Sequence, residues 1–108
     1  MTKILNRYSN NLICEDALLD LKQISEKNKA NLGGANLGEA NLGEANLGGA
    51  NLGEANLGEA NLGGANLRGA NLGEANLWEA NVREANWNET NLRGCNLNAT
   101  NVGDPNGS

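Results

Sequence analysis

The sequence predicts an all-β solenoid without a catalytic site. Three observations lead there. A five-residue unit repeats from Ala30 to Asp104. Only 3% of the residues are aromatic, none of them Phe, and mean hydropathy is −0.52. The 108 residues suffice for one small domain, but such a composition cannot build a layered core of large side chains. Asn, Gly, Leu, Ala and Glu dominate, and a composition this simple is ordered only where the order of residues makes it so.

The repeat supplies that order. From Ala30 the chain reads Ala-Asn-Leu-x-x fifteen times. The third position holds Leu32, Leu37, Leu42, Leu47, Leu52, Leu57, Leu62, Leu67, Leu72, Leu77, Val82, Trp87, Leu92, Leu97 and Val102, the expected structural core. The second is Asn throughout, from Asn31 to Asn101. The first is Ala up to Ala85, then Thr90, Cys95 and Thr100. The last two positions are mostly Gly, then Gly or Glu.

A period of five suits neither regular element. On an α-helix five residues advance by about 500°, so the leucines would drift around the surface and leave no apolar stripe. In a flat strand an odd period turns successive leucines to opposite faces. Collagen requires Gly at every third residue, a pattern absent here. A coil that turns a corner once per pentapeptide satisfies the period: Leu points to the axis with the small Ala beside it, and Asn faces out, where ladders can bond between coils. Gly fits the corners through its tolerance of positive φ and of close backbone approach.

Tandem Ala-Asn-Leu-x-x resembles the pentapeptide repeat family. The resemblance implies a right-handed quadrilateral β-helix, four pentapeptides to the coil. Residues 30–104 then form just under four coils, a rod about 18 Å long at a sheet spacing of about 4.8 Å. Family members often carry Ser, Thr or Arg at the fourth position, where this chain has Gly from Gly33 to Gly63.

Residues 1–29 are expected to hold a capping helix over about 11–28, on the spacing of Cys14, Ala17, Leu18, Leu21 and Ile24. Asn10 or Asn11 would be its N-cap, with Lys27 and Lys29 at its far end. The helix would lie across the first coil. Leu5-Asn6-Arg7-Tyr8 also resembles a short segment that precedes the repeats in some bacterial members. Past Val102, residues 105–108 read as a short disordered tail, so the last coil would stay uncapped and offer a homodimer contact.

Charge and residue types narrow the function. From Ala30 onward eight Glu and Asp104 face Arg68, Arg83 and Arg93, a net −6 that repels nucleic acid. The absence of His removes the commonest general base, and no phosphate loop or metal-ligand pattern is present, so no enzyme, cofactor or metal is expected. The start lacks the apolar run of a secretory signal, and no segment approaches a membrane span of about 18 residues. A cytoplasmic protein with free thiols at Cys14 and Cys95 follows.

The leading reading is a non-enzymatic structural or protein-interaction module whose partner the sequence does not name. The family resemblance implies one alternative, an acidic DNA mimic that binds a type II topoisomerase. Counting every twenty residues, Glu39, Glu59 and Glu79 would stack on one face. Against mimicry, Gly33–Leu47 recurs unchanged as Gly48–Leu62, a fifteen-residue duplication out of step with a twenty-residue coil. Ice or mineral binding is weakened by the inward placement of Thr90 and Thr100. If a specific interface exists, it is expected between Trp78 and Val102, on Trp78, Arg83 and Arg93.

Overall fold

The structure, a computed structural model, describes residues 2–16 and 20–103. Two strands come first, β1 at Thr2–Asn6 and β2 at Leu12–Asp16, followed by the helix α1 at Leu21–Lys27, a 3-10 turn at Lys29–Asn31 and a short strand β3 at Ala35–Asn36. β1 and β2 form an antiparallel hairpin that pairs Thr2 with Asp16 and Ile4 with Cys14. The other edge of β1 pairs antiparallel with β3, Leu5 opposite Asn36.

The helix expected over about 11–28 is thereby corrected. Leu12–Asp16 are extended, residues 17–19 lie outside the described residues, and α1 is only seven residues long. Helical spacing lost to strand pairing because β1 brings partners on both edges. Asn10 is no N-cap: it sits in the hairpin turn at φ 61°, with its N–H donating to the Asn6 carbonyl at 2.9 Å. The cap is Asp20, whose carboxylate accepts the Gln23 N–H at 2.8 Å while the Gln23 side-chain oxygen accepts the Asp20 N–H at 3.0 Å. This reciprocal capping box satisfies two donors at once.

From Asn36 on, the repeats wind into a coil that closes every twenty residues. Parallel bridges join Asn36 to Asn56, Asn41 to Asn61, and so on to Asn81 with Asn101. Within each rung the Leu N–H donates to the Asn carbonyl of the next coil, as Leu57 to Asn76 at 2.7 Å. The Asn N–H donates back to the preceding coil, as Asn56 to the Ala35 carbonyl at 2.8 Å.

Corners are made inside each pentapeptide. The Ala40 N–H donates to the Leu37 carbonyl at 3.1 Å, and the same bond recurs down to Thr100 and Leu97 at 3.2 Å. Every fifth-position residue from Gly34 to Ala99 has positive φ, near 60–70°. Positive φ at the third residue of a four-residue turn alone is the type II pattern. The fourth-position glycines from Gly33 to Gly63 lie outside the left-handed region, so φ does not require Gly there, although a Cβ would press on the Asn ladder, at 3.0 Å from Asn56 Nδ2 in the case of Gly38.

The typical Asn of the later coils stabilises the coil in two directions. Its Oδ1 accepts the N–H two residues on, as Gly58 N–H to Asn56 at 3.0 Å. Its Nδ2 donates to the Asn of the preceding coil: Asn56 to Asn36 at 3.0 Å, Asn76 to Asn56 at 3.1 Å, and Asn96 to Asn76 at 3.1 Å. An amide carries both a donor and an acceptor, which lets one side chain do both. This explains the invariance of Asn through all the repeats.

Inside the coil, every third-position Leu from Leu32 to Leu77 and every Ala from Ala35 to Ala80 is buried. Ile4 and Ile24 join the same cluster. The expected core does not extend intact to the chain's end. Trp87 and Leu92 are partly buried, while Leu97 is 40% and Val102 64% exposed. Among the described residues no further coil stacks beneath them.

At the opposite end the first coil is bonded from above. The Arg7 N–H donates to the Gly34 carbonyl at 2.7 Å, and the Lys29 carbonyl reaches past the first coil to accept the Asn51 N–H of the second at 2.8 Å. The Glu26 carboxylate accepts the Asn46 N–H at 2.7 Å. Arg7 Nη1 reaches one coil further, to the Glu54 carbonyl at 3.2 Å.

One group in this region is unsatisfied. Ser25 is fully buried, and among the described residues its hydroxyl has no hydrogen-bond partner. Removing an unpaired buried hydroxyl relieves a desolvation cost of about 1–3 kcal/mol, and Ala is also the better helix former. Ser25→Ala is therefore expected to raise stability by about 1 kcal/mol, read as an increase of roughly 5 °C in Tm. A lowered Tm would show that the hydroxyl is bonded in solution.

Candidate interaction surfaces

The twenty-residue coil sorts the outward residues into columns. One side stacks Gly38, Gly58, Trp78 and Asn98 at its fourth positions, and Glu39, Glu59, Glu79 and Ala99 at its fifth. The side before it stacks Gly33, Gly53, Gly73 and Arg93 beside Gly34, Glu54, Glu74 and Gly94. The side after it stacks Gly43, Gly63 and Arg83 beside Glu44, Gly64 and Glu84. Arg68 and Glu89 share the last side and pair at 3.2 Å, with side chains 65% and 71% exposed. An exposed pair of this kind contributes little.

Trp78, Arg83 and Arg93 therefore stand on three different sides, and the expected clustering of an exposed Trp with Arg is corrected. Five residues along the chain mean one corner around the coil. Trp78 is instead brought to Glu39 and Glu59: the three line a groove of about 390 Å³ with Asn36, Asn56 and Asn76. The Glu59 N–H donates to the Trp78 carbonyl at 2.8 Å, which holds these two residues together on adjacent coils. Trp78 is 43% exposed.

Arg93 lines a larger groove of about 720 Å³ on the preceding side, with Glu54, Glu74, Asn6 and Tyr8. The Arg7 guanidinium lies 4.9 Å from the centre of the exposed Tyr8 ring. Sequence reading missed this groove because Asn6 and Tyr8 reach it only through the hairpin. The one available signal was the Leu5-Asn6-Arg7-Tyr8 segment, and the structure shows how it is used: Leu5 pairs with β3, and Arg7 bonds to the second coil.

Cys14 and Cys95 are both free and partly buried. Burial pushes both thiols above their ordinary pKa, which lowers the thiolate fraction and with it nucleophilicity. Thr90 and Thr100 take the Ala position and turn their hydroxyls to carbonyls of the coil above, Leu67 at 2.7 Å and Leu77 at 3.0 Å. Among the described residues no group of His, Cys, Asp and Glu is arranged to hold a metal ion. No described helix is long and apolar enough to cross a membrane.

A chain whose pentapeptides stack through parallel rungs, with Leu inward and Asn ladders outward, is a repeat protein of the solenoid class. The family described as Pentapeptide repeats matches residues 30–69 and 70–103 in eight copies. The chain belongs to the pentapeptide repeat family, whose members form β-helices.

Solved structures of the same family are similar. A pentapeptide repeat protein from Nostoc PCC 7120 is 41% identical over 63% of this chain and 60% of its own, with a TM-score of 0.35. Rfr23 from Cyanothece 51142 is 35% identical over 66% of this chain and 58% of its own, with a TM-score of 0.28. HetL from Nostoc sp. PCC 7120, a protein involved in heterocyst differentiation regulation, is 31% identical over 68% of this chain and 40% of its own, with a TM-score of 0.25. The chain thus spans less than two thirds of the length of each. A comparison with curated proteins finds no match.

Proposed function

We propose that this protein is a non-enzymatic structural or protein-interaction module that self-associates through the open end of its coil. The observation that carries this reading is the state of the last coil. Leu97 and Val102 are 40% and 64% exposed there, whereas the equivalent leucines from Leu32 to Leu77 are buried. Each upper coil gives its Leu N–H to the coil below. At Trp87, Leu92, Leu97 and Val102 no such acceptor follows among the described residues. An apolar centre ringed by unpaired backbone groups is a surface that a second copy completes.

The same reading takes the coil as right-handed, with just under four turns over residues 30–104. It takes α1 as a cap, supported by the bond that the Glu26 carboxylate accepts from the Asn46 N–H of the first coil. Two free cysteines support a cytoplasmic setting.

Sedimentation equilibrium across micromolar concentrations tests the proposal. Wild type is expected to approach twice the chain mass of 11.3 kDa, and Leu97→Arg to return it to the monomer. A monomer mass at every concentration would remove self-association.

A further inference from the structure

We propose that the groove ending on Trp78 is a docking surface for an extended cationic peptide segment of a partner protein. The inference deepens the interaction-module reading and rests on it, but it concerns a side of the coil and not its open end.

Trp78 is the only fourth-position aromatic, and it replaces the Gly found above it at Gly38 and Gly58. Those glycines leave the fourth positions bare on the two coils above the indole, between the Asn and Glu side chains that line the groove. The indole therefore closes one end of an open trough and keeps 43% of its surface in solvent. A large half-exposed aromatic at the end of a groove is the usual anchor of a protein contact.

The walls define what lies beside that anchor. On one side stand Asn36, Asn56 and Asn76, fixed by Nδ2–Oδ1 bonds of 3.0 and 3.1 Å. The Nδ2 of Asn56 and that of Asn76 each spend one proton on the ladder and retain a second for a ligand carbonyl. On the other side Glu39 and Glu59 line the groove. Glu79 continues their column beside Trp78, so carboxylates recur at about the 4.8 Å coil spacing. Among the described repeat residues no Lys or Arg shares this side, since Arg68, Arg83 and Arg93 all belong to other columns. The cation nearby is Lys22 of α1, which lines a neighbouring pocket with Glu39 at the upper end and donates to the Gly43 carbonyl at 3.5 Å, leaving Glu59 and Glu79 as the carboxylates away from it.

Charge complementarity selects a cationic occupant. The indole adds a preference for guanidinium or ammonium groups, which stack on its face. Glu39 to Glu79 covers two coil spacings, about 10 Å, which an extended peptide spans in about three residues. Side chains on one face of such a peptide recur at every second residue, about 6.6 Å apart, so two Arg or Lys at alternate positions lie along the column of three carboxylates and reach them through flexible stems instead of facing each one in register.

The test is NMR titration of the full chain with acetyl-Arg-Gly-Arg-Gly-Arg-amide. The expected result is a saturable shift of the Trp78 indole N–H and of the Glu39, Glu59 and Glu79 amides. Affinity should fall at least tenfold in Trp78→Ala and in the triple variant Glu39→Gln/Glu59→Gln/Glu79→Gln, and recover in Trp78→Phe. Glu44→Gln/Glu84→Gln, on the next side, should bind as wild type.

Shifts spread evenly over all acidic columns would overturn the proposal, as would unchanged binding in a folded Trp78→Ala variant. Spermine competing at equal charge concentration would also overturn it, because the ligand would then be bare charge and not a peptide. These results are distinguishable from failure of the module reading, since sedimentation reads the open end independently of this side.

Discussion

Leu57→Ala is expected to destabilise the protein by about 3 kcal/mol, within the 2–5 kcal/mol of buried Leu truncations, whereas Leu97→Ala costs roughly 1 kcal/mol or less. The two residues occupy the same place in the repeat. Leu57 is fully buried with Leu37 and Leu77 one coil above and below. Its backbone is held from both sides: the Leu57 N–H donates to Asn76 at 2.7 Å, and the neighbouring Asn56 N–H donates to Ala35 at 2.8 Å. Walls tied in this way cannot collapse into the space a Leu leaves, so the cavity persists and its cost is retained. Leu97 is 40% exposed, with no coil stacked beneath it among the described residues, so in the monomer, at concentrations too low for self-association, its surroundings can relax.

Urea unfolding followed by circular dichroism measures both variants. Hydrogen exchange at the rung amides shows whether the loss is local or shared, as a stack of repeats need not unfold in a single step. Equal losses in the two variants would mean that the axis is not packed more tightly in the middle than at the end.

The inward column was legible from the sequence because its period forbids every regular element. Leu32 to Leu77 point to the axis as the five-residue spacing requires, and the Asn ladder followed from a constant polar position. The N-terminal segment was not legible. Leu12, Ile13 and Cys14 are as compatible with a strand as with a helix, and the choice is made by β1, which lies between β2 and the distant β3. No local pattern announces that Leu5 will pair with Asn36. The Tyr8-Ser9-Asn10-Asn11 cluster was the available turn signal, and it marks the hairpin.

The outward surface was legible in part. Counting by twenty placed Glu39, Glu59 and Glu79 in one column. The same count puts Trp78, Arg83 and Arg93 on different sides, a consequence obscured by reading them as neighbours along the chain. The stacked acidic array is also uneven. It is unbroken at Glu39, Glu59 and Glu79, but Gly64 interrupts Glu44 and Glu84, because a fifteen-residue duplication was laid over a twenty-residue coil.

Gly33→Ala and Gly34→Ala are expected to change stability in opposite directions although the residues are adjacent. Gly34 has φ +70°, and a Cβ there would lie 2.8 Å from Asn6 Nδ2. Asn6 is poorly placed to yield, since its Oδ1 accepts the N–H groups of Tyr8 at 2.8 Å and Ser9 at 3.1 Å. The left-handed conformation costs Ala about 1–2 kcal/mol before any clash is counted, so Gly34→Ala should lose about 2 kcal/mol or more. Gly33 lies outside the left-handed region, and its Cβ would meet Asn51 Nδ2 at 3.4 Å, an ordinary contact. There Ala mainly restricts the unfolded chain and should gain about 0.4–1 kcal/mol. Trp78 shows that a Cβ at a fourth position leaves the ladder intact, because Asn96 still donates to Asn76 at 3.1 Å. Thermal unfolding of the two variants beside wild type decides the matter. Two losses of similar size would mean that the fourth-position glycines are required by backbone geometry after all, and the type II assignment of the corners would fall with the prediction.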